Sequence, residues 1–322
     1  MKRSQEYELR KKCNNIDALC GFKDYIYNDG PSRGLRAFDL KNGRNLEMTL
    51  LADRGLDIPY LSYKGINIGL TNKVGVRSPY LFQEDGASGF LKQFNGGMLT
   101  TCGITYSGAA GVDNGKALGL HGPMSNIPAE HVGASIEYEG DERVIRVRGQ
   151  VHEAEVFGTD MLMKRCYTLE TERDIVHIHD VVTNQSYEKQ PVMLIYHINF
   201  GYPMLDAGAK AYFSAGKVTP RTDFAAQGMG NYFEMEEPGC GRDEQCYYHT
   251  EQPAEGEAFA MLHNEKLGLE PTTSGVVNRS EARELGNLTY LESGESREYN
   301  VSIELTEDAA VIEHYKSIAH KE

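Results

Sequence analysis

Hydrophobic and polar positions alternate along much of this chain in short runs closed by turn residues. Tyr299-Asn300-Val301-Ser302-Ile303-Glu304-Leu305 alternates without a break, which predicts a half-buried strand. Phe22 to Tyr27, Arg33 to Leu40 and Asn45 to Ala52 are strand-like, with turns at Asn28-Asp29-Gly30-Pro31 and Lys41-Asn42-Gly43 between them. Short runs joined by such turns signal antiparallel sheet. Ile136 to Glu139, Val144 to Val151, Met161 to Leu169 and Asp174 to Val182 read as a second meander. Ala211 to Val218, Gln245 to Thr250, Ala258 to Leu262 and Leu285 to Leu291 add further strands. Ser4 to Asn14 suits a short polar helix. Thr306 can cap a last helix, with Glu307 and Asp308 in its first turn. No internal repeat, low-complexity tract or linker interrupts the pattern. It predicts one all-β domain over residues 1–322, with two layers of antiparallel sheet and short terminal helices.

Polar residues that break this pattern are the candidates for chemistry. In Leu194-Ile195-Tyr196-His197-Ile198-Asn199-Phe200, strand alternation puts Tyr196, Ile198 and Phe200 on one face. Ile195, His197 and Asn199 take the other, so an imidazole and an amide project together from an apolar strand. A second histidine, His121, lies between glycines in the loop Leu118 to Glu130, and loops on rigid scaffolds often carry function. Asp53-Arg54-Gly55-Leu56-Asp57 holds three charges in a tight turn and reads as a corner, its Arg packed by its own carboxylates. Phe90 to Gly103 is low in charge and rich in glycine. His177 and His179 share a strand face, which polar–apolar alternation explains as a solvated surface rather than a metal pair. Glu270 follows Leu267-Gly268-Leu269 and precedes Pro271. A carboxylate there is costly to bury alone, and Arg279 is a candidate partner.

Composition narrows the classes of function. The chain has 322 residues and a net charge of -14, so nucleic acid and anionic membrane surfaces are excluded as expected partners. No apolar run approaches the length of a membrane span. Met1 to Glu6 is charged with no apolar stretch behind it, so no secretory signal is expected. The six cysteines lack metal-site spacing and read as reduced thiols in a cytoplasmic protein.

The order of a His-Gly loop, a His on a central strand and a late Glu-Pro resembles the aldose 1-epimerase (galactose mutarotase) superfamily. The pieces are Leu120-His121-Gly122, His197-Ile198-Asn199-Phe200 and Leu269-Glu270-Pro271, with Asn278 trailing. A less characterised, aldose 1-epimerase-like branch is closer. Asp53 to Asp57, Gly96 to Gly103, His121 to Ala129 and Tyr196 to Pro203 are similar to its phrases, over roughly residues 20–305. The strand lacks the family's Pro-Tyr after its His. The family's arginine has no clean counterpart; Arg54 or Lys92 are the candidates. For the substrate-binding Asp, Asp223 and the nearby Arg221 are the candidates.

The resemblance implies a β-sandwich of the galactose mutarotase type and interconversion of sugar anomers. It makes Glu270 the base and His197 the acid, with His121 and Asn199 orienting ring and hydroxyl oxygens. A carboxylate and an imidazole suit that work because both exchange protons near neutrality. No metal, nucleotide or redox cofactor is required, and the expected partner is a small sugar; a homo-oligomer is compatible with the sequence. Two other readings use the same residues. His121, His197 and Glu270 could instead hold zinc with an open position. Or the scaffold binds or senses a sugar without turning it over.

Overall fold

The computed structural model describes residues 1–214, 216–237, 239, 243–251, 258–263 and 278–319. The chain divides into two compact units, Met1–Asn199 with Glu270–Leu305, and Phe200–Leu269 with Thr306–Glu322. The predicted turns do close antiparallel ladders. In the first unit Gly21–Ile26, Arg36–Lys41, Leu46–Leu51, Asp57–Tyr63, Leu99–Cys102 and Ile195–Ile198 lie side by side in one sheet, with Ile66–Asn67 at its side. A second sheet orders Glu130–Glu139, Glu142–Ala154, Asp160–Glu170, Ile175–Asn184 and Ser296–Glu304, every pair antiparallel.

Register turns the alternation into a core. Leu40, Met48 and Leu61 stand opposite one another on the first sheet, and all three are buried. On Ile175–Asn184 the buried residues are Val176, Ile178, Asp180, Val182 and Asn184, while His177 and His179 face outward. His177 pairs with Glu170 at 2.7 Å and His179 with Glu298 at 3.6 Å, so both belong to a solvated face.

The apolar phase of the second sheet carries one ion pair. Arg165 and Asp180 are in register on neighbouring strands and bond in bidentate fashion at 2.9 and 2.7 Å, both fully buried. Arg165 also donates to Thr101 Oγ1 (2.8 Å) of the first sheet and to the Gly55 carbonyl (3.1 Å) in the turn ahead of Asp57–Tyr63, and lies 3.7 Å from Asp57. Tyr196 donates to Asp180 at 2.7 Å. A buried charge stripped of water is stable only when its partners satisfy it, and these contacts tie the two sheets at one place.

Several boundaries differ from expectation. The strand expected from Arg33 begins at Arg36, because Gly30–Ser32 forms a 3-10 turn ahead of it. Ala211 to Val218 is two strands, Lys210–Phe213 and Gly216–Pro220, each with its own partner. Leu285 to Leu291 is a strand only over Thr289–Leu291; a helix, Arg279–Glu284, precedes it, capped by Asn278. The last helix, Ala309–Ile318, is capped by Asp308 and not by Thr306, whose hydroxyl accepts from the Asp308 amide instead. In the second unit that helix accompanies two small two-stranded sheets and an apolar cluster of Ala209, Ala211, Leu205, Phe213, Met235 and Leu262.

Candidate functional site

Ile195–Ile198 pairs with Leu99–Cys102, setting His197 opposite Thr100 and Tyr196 opposite Thr101. Its faces separate as alternation predicts. Tyr196 reaches Asp180 in the polar core, while Ile195 packs with Phe90 and Cys102 on the other side, under Phe94 and Leu120. His197 shares the side of Ile195, and its ring centroid is 5.1 Å from that of Phe94. Asn199 is buried; its amide donates to the Gly97 carbonyl (3.1 Å) and the His197 carbonyl (2.9 Å), so it fixes the strand end.

His121 reaches the same place from 76 residues earlier in the chain (197 − 121). Its backbone is left-handed, φ +62°, and Gly122 follows at +72°. A Cβ on Gly122 would lie 2.1 Å from the Tyr106 carbonyl oxygen, so only glycine fits. The His121 amide donates to the Gly108 carbonyl (2.8 Å), and Nδ1 accepts from the Gly108 amide (3.3 Å). A neutral ring with Nδ1 as acceptor carries its proton on Nε2 and donates there. The two imidazoles meet edge to face, centroids 5.6 Å apart and planes at 89°. Phe90 abuts His121 (4.9 Å) and stacks on Phe94 (5.0 Å), which completes a ring of four aromatic side chains.

Arg54 supports this ring from beneath. It is buried, and its guanidinium donates to the carbonyls of Ser125, Arg77 (3.0 Å) and Gln93 (3.3 Å). Those carbonyls belong to the segments carrying His121, Arg77 and Phe94. The expected corner therefore has a different chemistry. Asp53 accepts from the Arg36 amide and Asp57 from the Thr101 amide, leaving Arg54 to clamp three loops through their backbones. Burial pushes the Arg54 pKa down to about 10, with Asp57 opposing, so it keeps its charge at neutrality. Burial pushes Asp57 up to about 6 despite Arg165.

The remaining expected residues are placed as follows. Lys92 is exposed and pairs with Asp85 (3.3 Å) on the helix that carries Phe90. Arg221 and Asp223 belong to the second unit, where Arg221 pairs with Glu244 (3.2 Å) and Asp223 opens a short helix. Glu270 lies outside the described residues. Arg279, its candidate partner, bonds Asp113 (2.7 Å) and the Thr105 carbonyl (2.9 Å). Phe90, Phe94 and the Arg165–Asp180 pair were not anticipated. The pair had a signal: Arg165 sits in phase with Met161, Met163, Tyr167 and Leu169, and Asp180 with Val176, Ile178 and Val182. Opposite charges on the apolar phase of adjacent strands mark a buried pair.

A domain family described as "Domain of unknown function (DUF4432)" matches residues 32–268. The chain belongs to that family. Curated proteins offer no match. Among solved structures, a candidate aldose 1-epimerase from Klebsiella pneumoniae subsp. pneumoniae superposes with TM-score 0.84 at 23% identity, covering 94% of this chain and 90% of that one. A galactose mutarotase-like protein from Clostridium acetobutylicum gives 0.57 at 15% identity, covering 89% and 100%. This member of the family thus has the galactose mutarotase-like fold, in agreement with the resemblance read from its motifs. Among its described residues no three His, Cys, Asp or Glu side chains group as metal ligands.

Proposed function

We propose that this protein is an aldose 1-epimerase, opening and reclosing the cyclic hemiacetal of a sugar by acid–base catalysis. The observation that carries the reading is the meeting of His121 and His197, edge to face within an aromatic enclosure. Ring opening requires a proton to leave the anomeric hydroxyl and another to reach the ring oxygen. In this reading His197 protonates the ring oxygen and Glu270 takes the hydroxyl proton. His121, a donor at Nε2, holds a sugar oxygen. Phe94, backed by the buried Phe90, gives the C–H face of the sugar an apolar surface and limits water around the proton transfers. On reclosure acid and base exchange roles, so the site serves both directions.

The test is anomer exchange followed by nuclear magnetic resonance on a panel of aldoses and modified sugars. His197→Asn and Glu270→Gln should each keep the fold and slow exchange by roughly 10²–10⁴-fold, the usual contribution of a positioned proton-transfer group. The double variant should be little worse than either single, since the two residues act as a unit. Near wild-type exchange in Glu270→Gln would remove Glu270 as the base, whereas sugar binding by the wild type with no exchange above the uncatalysed rate would leave a non-catalytic sugar-binding protein as the better account.

A further inference from the structure

One cavity on the first sheet is not part of the histidine site. On the first four strands of that sheet Leu40, Met48 and Leu61 turn to the core, so the residues flanking them in sequence turn the other way. Those residues form two rows in register across the strands: Lys23, Asp39, Thr49 and Tyr60 in one, Lys41, Glu47 and Ser62 in the other. All of them line a cavity of about 310 Å³, at the lower end of the roughly 300–1,000 Å³ usual for small-molecule sites. The cavity lies wholly within the first unit.

The chemistry of this lining is that of a site rather than of a solvated face. Charges of opposite sign stand in register, Lys23 by Asp39 and Lys41 by Glu47, where neighbouring strands bring side chains within reach. Among the described residues neither closes into an ion pair. Lys41 donates instead to the Ala18 carbonyl. Asp39 is half-buried, and two hydroxyls orient it: Thr49 donates to its Oδ1 at 2.7 Å and Tyr25 at 3.0 Å. Both reach the same oxygen. Oδ2 has no partner among the described residues and is not shut off from solvent. A carboxylate withdrawn from bulk water with no cation on it keeps an acceptor for a ligand. Tyr60 adds an aromatic ring, 38% exposed, and Ser62 a hydroxyl. Asp17, at the edge of the cavity, is taken by Arg143 at 2.6 Å, so Lys23 and Lys41 balance Asp39 and Glu47. The cavity thus offers separated donors and acceptors, an aromatic ring and no net charge. A saccharide matches all three. Each of its hydroxyls both donates and accepts, neighbouring hydroxyls can share one carboxylate, and its C–H face lies well on an aromatic ring.

We propose that this cavity is a second carbohydrate site, which binds a neutral saccharide through Asp39, Lys23 and the ring of Tyr60 without turning it over. The proposal does not rest on the epimerase reading, because it uses none of the residues assigned to that reaction.

The experiment titrates the full chain with glucose, galactose, maltose and lactose, following backbone amides by nuclear magnetic resonance and measuring anomer exchange on the same samples. At least one of these sugars should shift the amides of residues 21–23, 39–41, 47–49 and 60–62 saturably. Asp39→Asn should weaken that binding by roughly 10–100-fold, the loss of a charged hydrogen bond, and Tyr60→Ala by roughly 3–10-fold, the loss of the aromatic contact. Anomer exchange in both variants should stay near wild type. Tyr60→Ala, at an exposed position, serves if Asp39→Asn fails to fold. Glucose 6-phosphate should bind here no more tightly than glucose, since the lining has no excess of cations; tighter binding would overturn the neutral class of ligand. No saturable shift at these amides with any of the four sugars, or a shift unchanged in every variant that folds, would overturn the proposal and leave the epimerase reading standing. Loss of exchange in a folded Asp39→Asn would also overturn it, by making the cavity part of the reaction site. Saturable, Asp39-dependent binding by a wild type that exchanges no sugar of the wider panel would uphold it and overturn the epimerase reading instead.

Discussion

Arg54 is a buried cation whose hydrogen bonds all go to the described protein itself, chiefly to carbonyl oxygens of three loops. A planar fork can span such acceptors, whereas an ammonium cannot reach them all. Arg54→Lys should therefore destabilise the fold by about 2–4 kcal/mol, the loss of more than one charged hydrogen bond. Urea unfolding checks this, and an unchanged midpoint would remove the clamp from the account. Asp57 supplies a pH dependence whose sign follows from its environment. Burial raises it to about 6 in the folded chain, so near pH 5 it is protonated when folded and ionised when unfolded. Its stabilising contribution is full below the unfolded value and is lost as pH rises through about 6. Carboxylates held low by arginines, such as Glu137 beside Arg148 and Asp24 beside Arg36, work in the opposite direction. They cancel when wild type is compared with Asp57→Asn. The stability of wild type relative to that variant should fall by about 3 kcal/mol between roughly pH 4 and pH 7, two pKa units of differential protonation. A flat difference across that range would mean that Asp57 is not shifted.

At the scale of elements, the site depends on how two segments are pinned. The His197 strand is fixed by its ladder to Leu99–Cys102, by Tyr196 on Asp180 and by Asn199 on Gly97. The His121 loop is fixed by the fit of Gly122 against the Tyr106 carbonyl. Gly122→Ala combines a left-handed backbone with that contact, so it should cost at least about 1–2 kcal/mol and shift His121. The expected result is a folded protein whose anomer exchange falls by more than roughly 10-fold, since small misplacement of a reacting group is expensive. Full activity in this variant would show that the position of His121 does not matter.

For the molecule as a whole, the far-ultraviolet circular dichroism spectrum should be that of a sheet protein, as the ladders require; a helix-dominated spectrum would contradict the fold. Dialysis against a chelator should leave anomer exchange intact, because the proposed proton transfers are complete with side chains alone; loss restored by zinc would favour the metal reading. Much of this architecture was legible in the sequence. Period-two alternation and Asn-Gly or Gly-Asp turns determine short antiparallel strands, because side chains on a strand must alternate and those turns match its twist. The two faces of the His197 strand, and the solvated pairing of His177 and His179, followed from the same local rule. Three features were decided only by the tertiary structure. The Phe90–Phe94–His197–His121 ring joins segments whose separation in the chain no local pattern bridges. The role of Arg54 depends on carbonyl oxygens, which every residue possesses and no sequence distinguishes. The final cap moved from Thr306 to Asp308: the sequence offers both, and the helix starts after Asp308, which is extended and accepts from the Ala310 amide. Local chemistry fixes what each segment can be, whereas which segments meet depends on the burial of their faces against one another, a property of the whole chain.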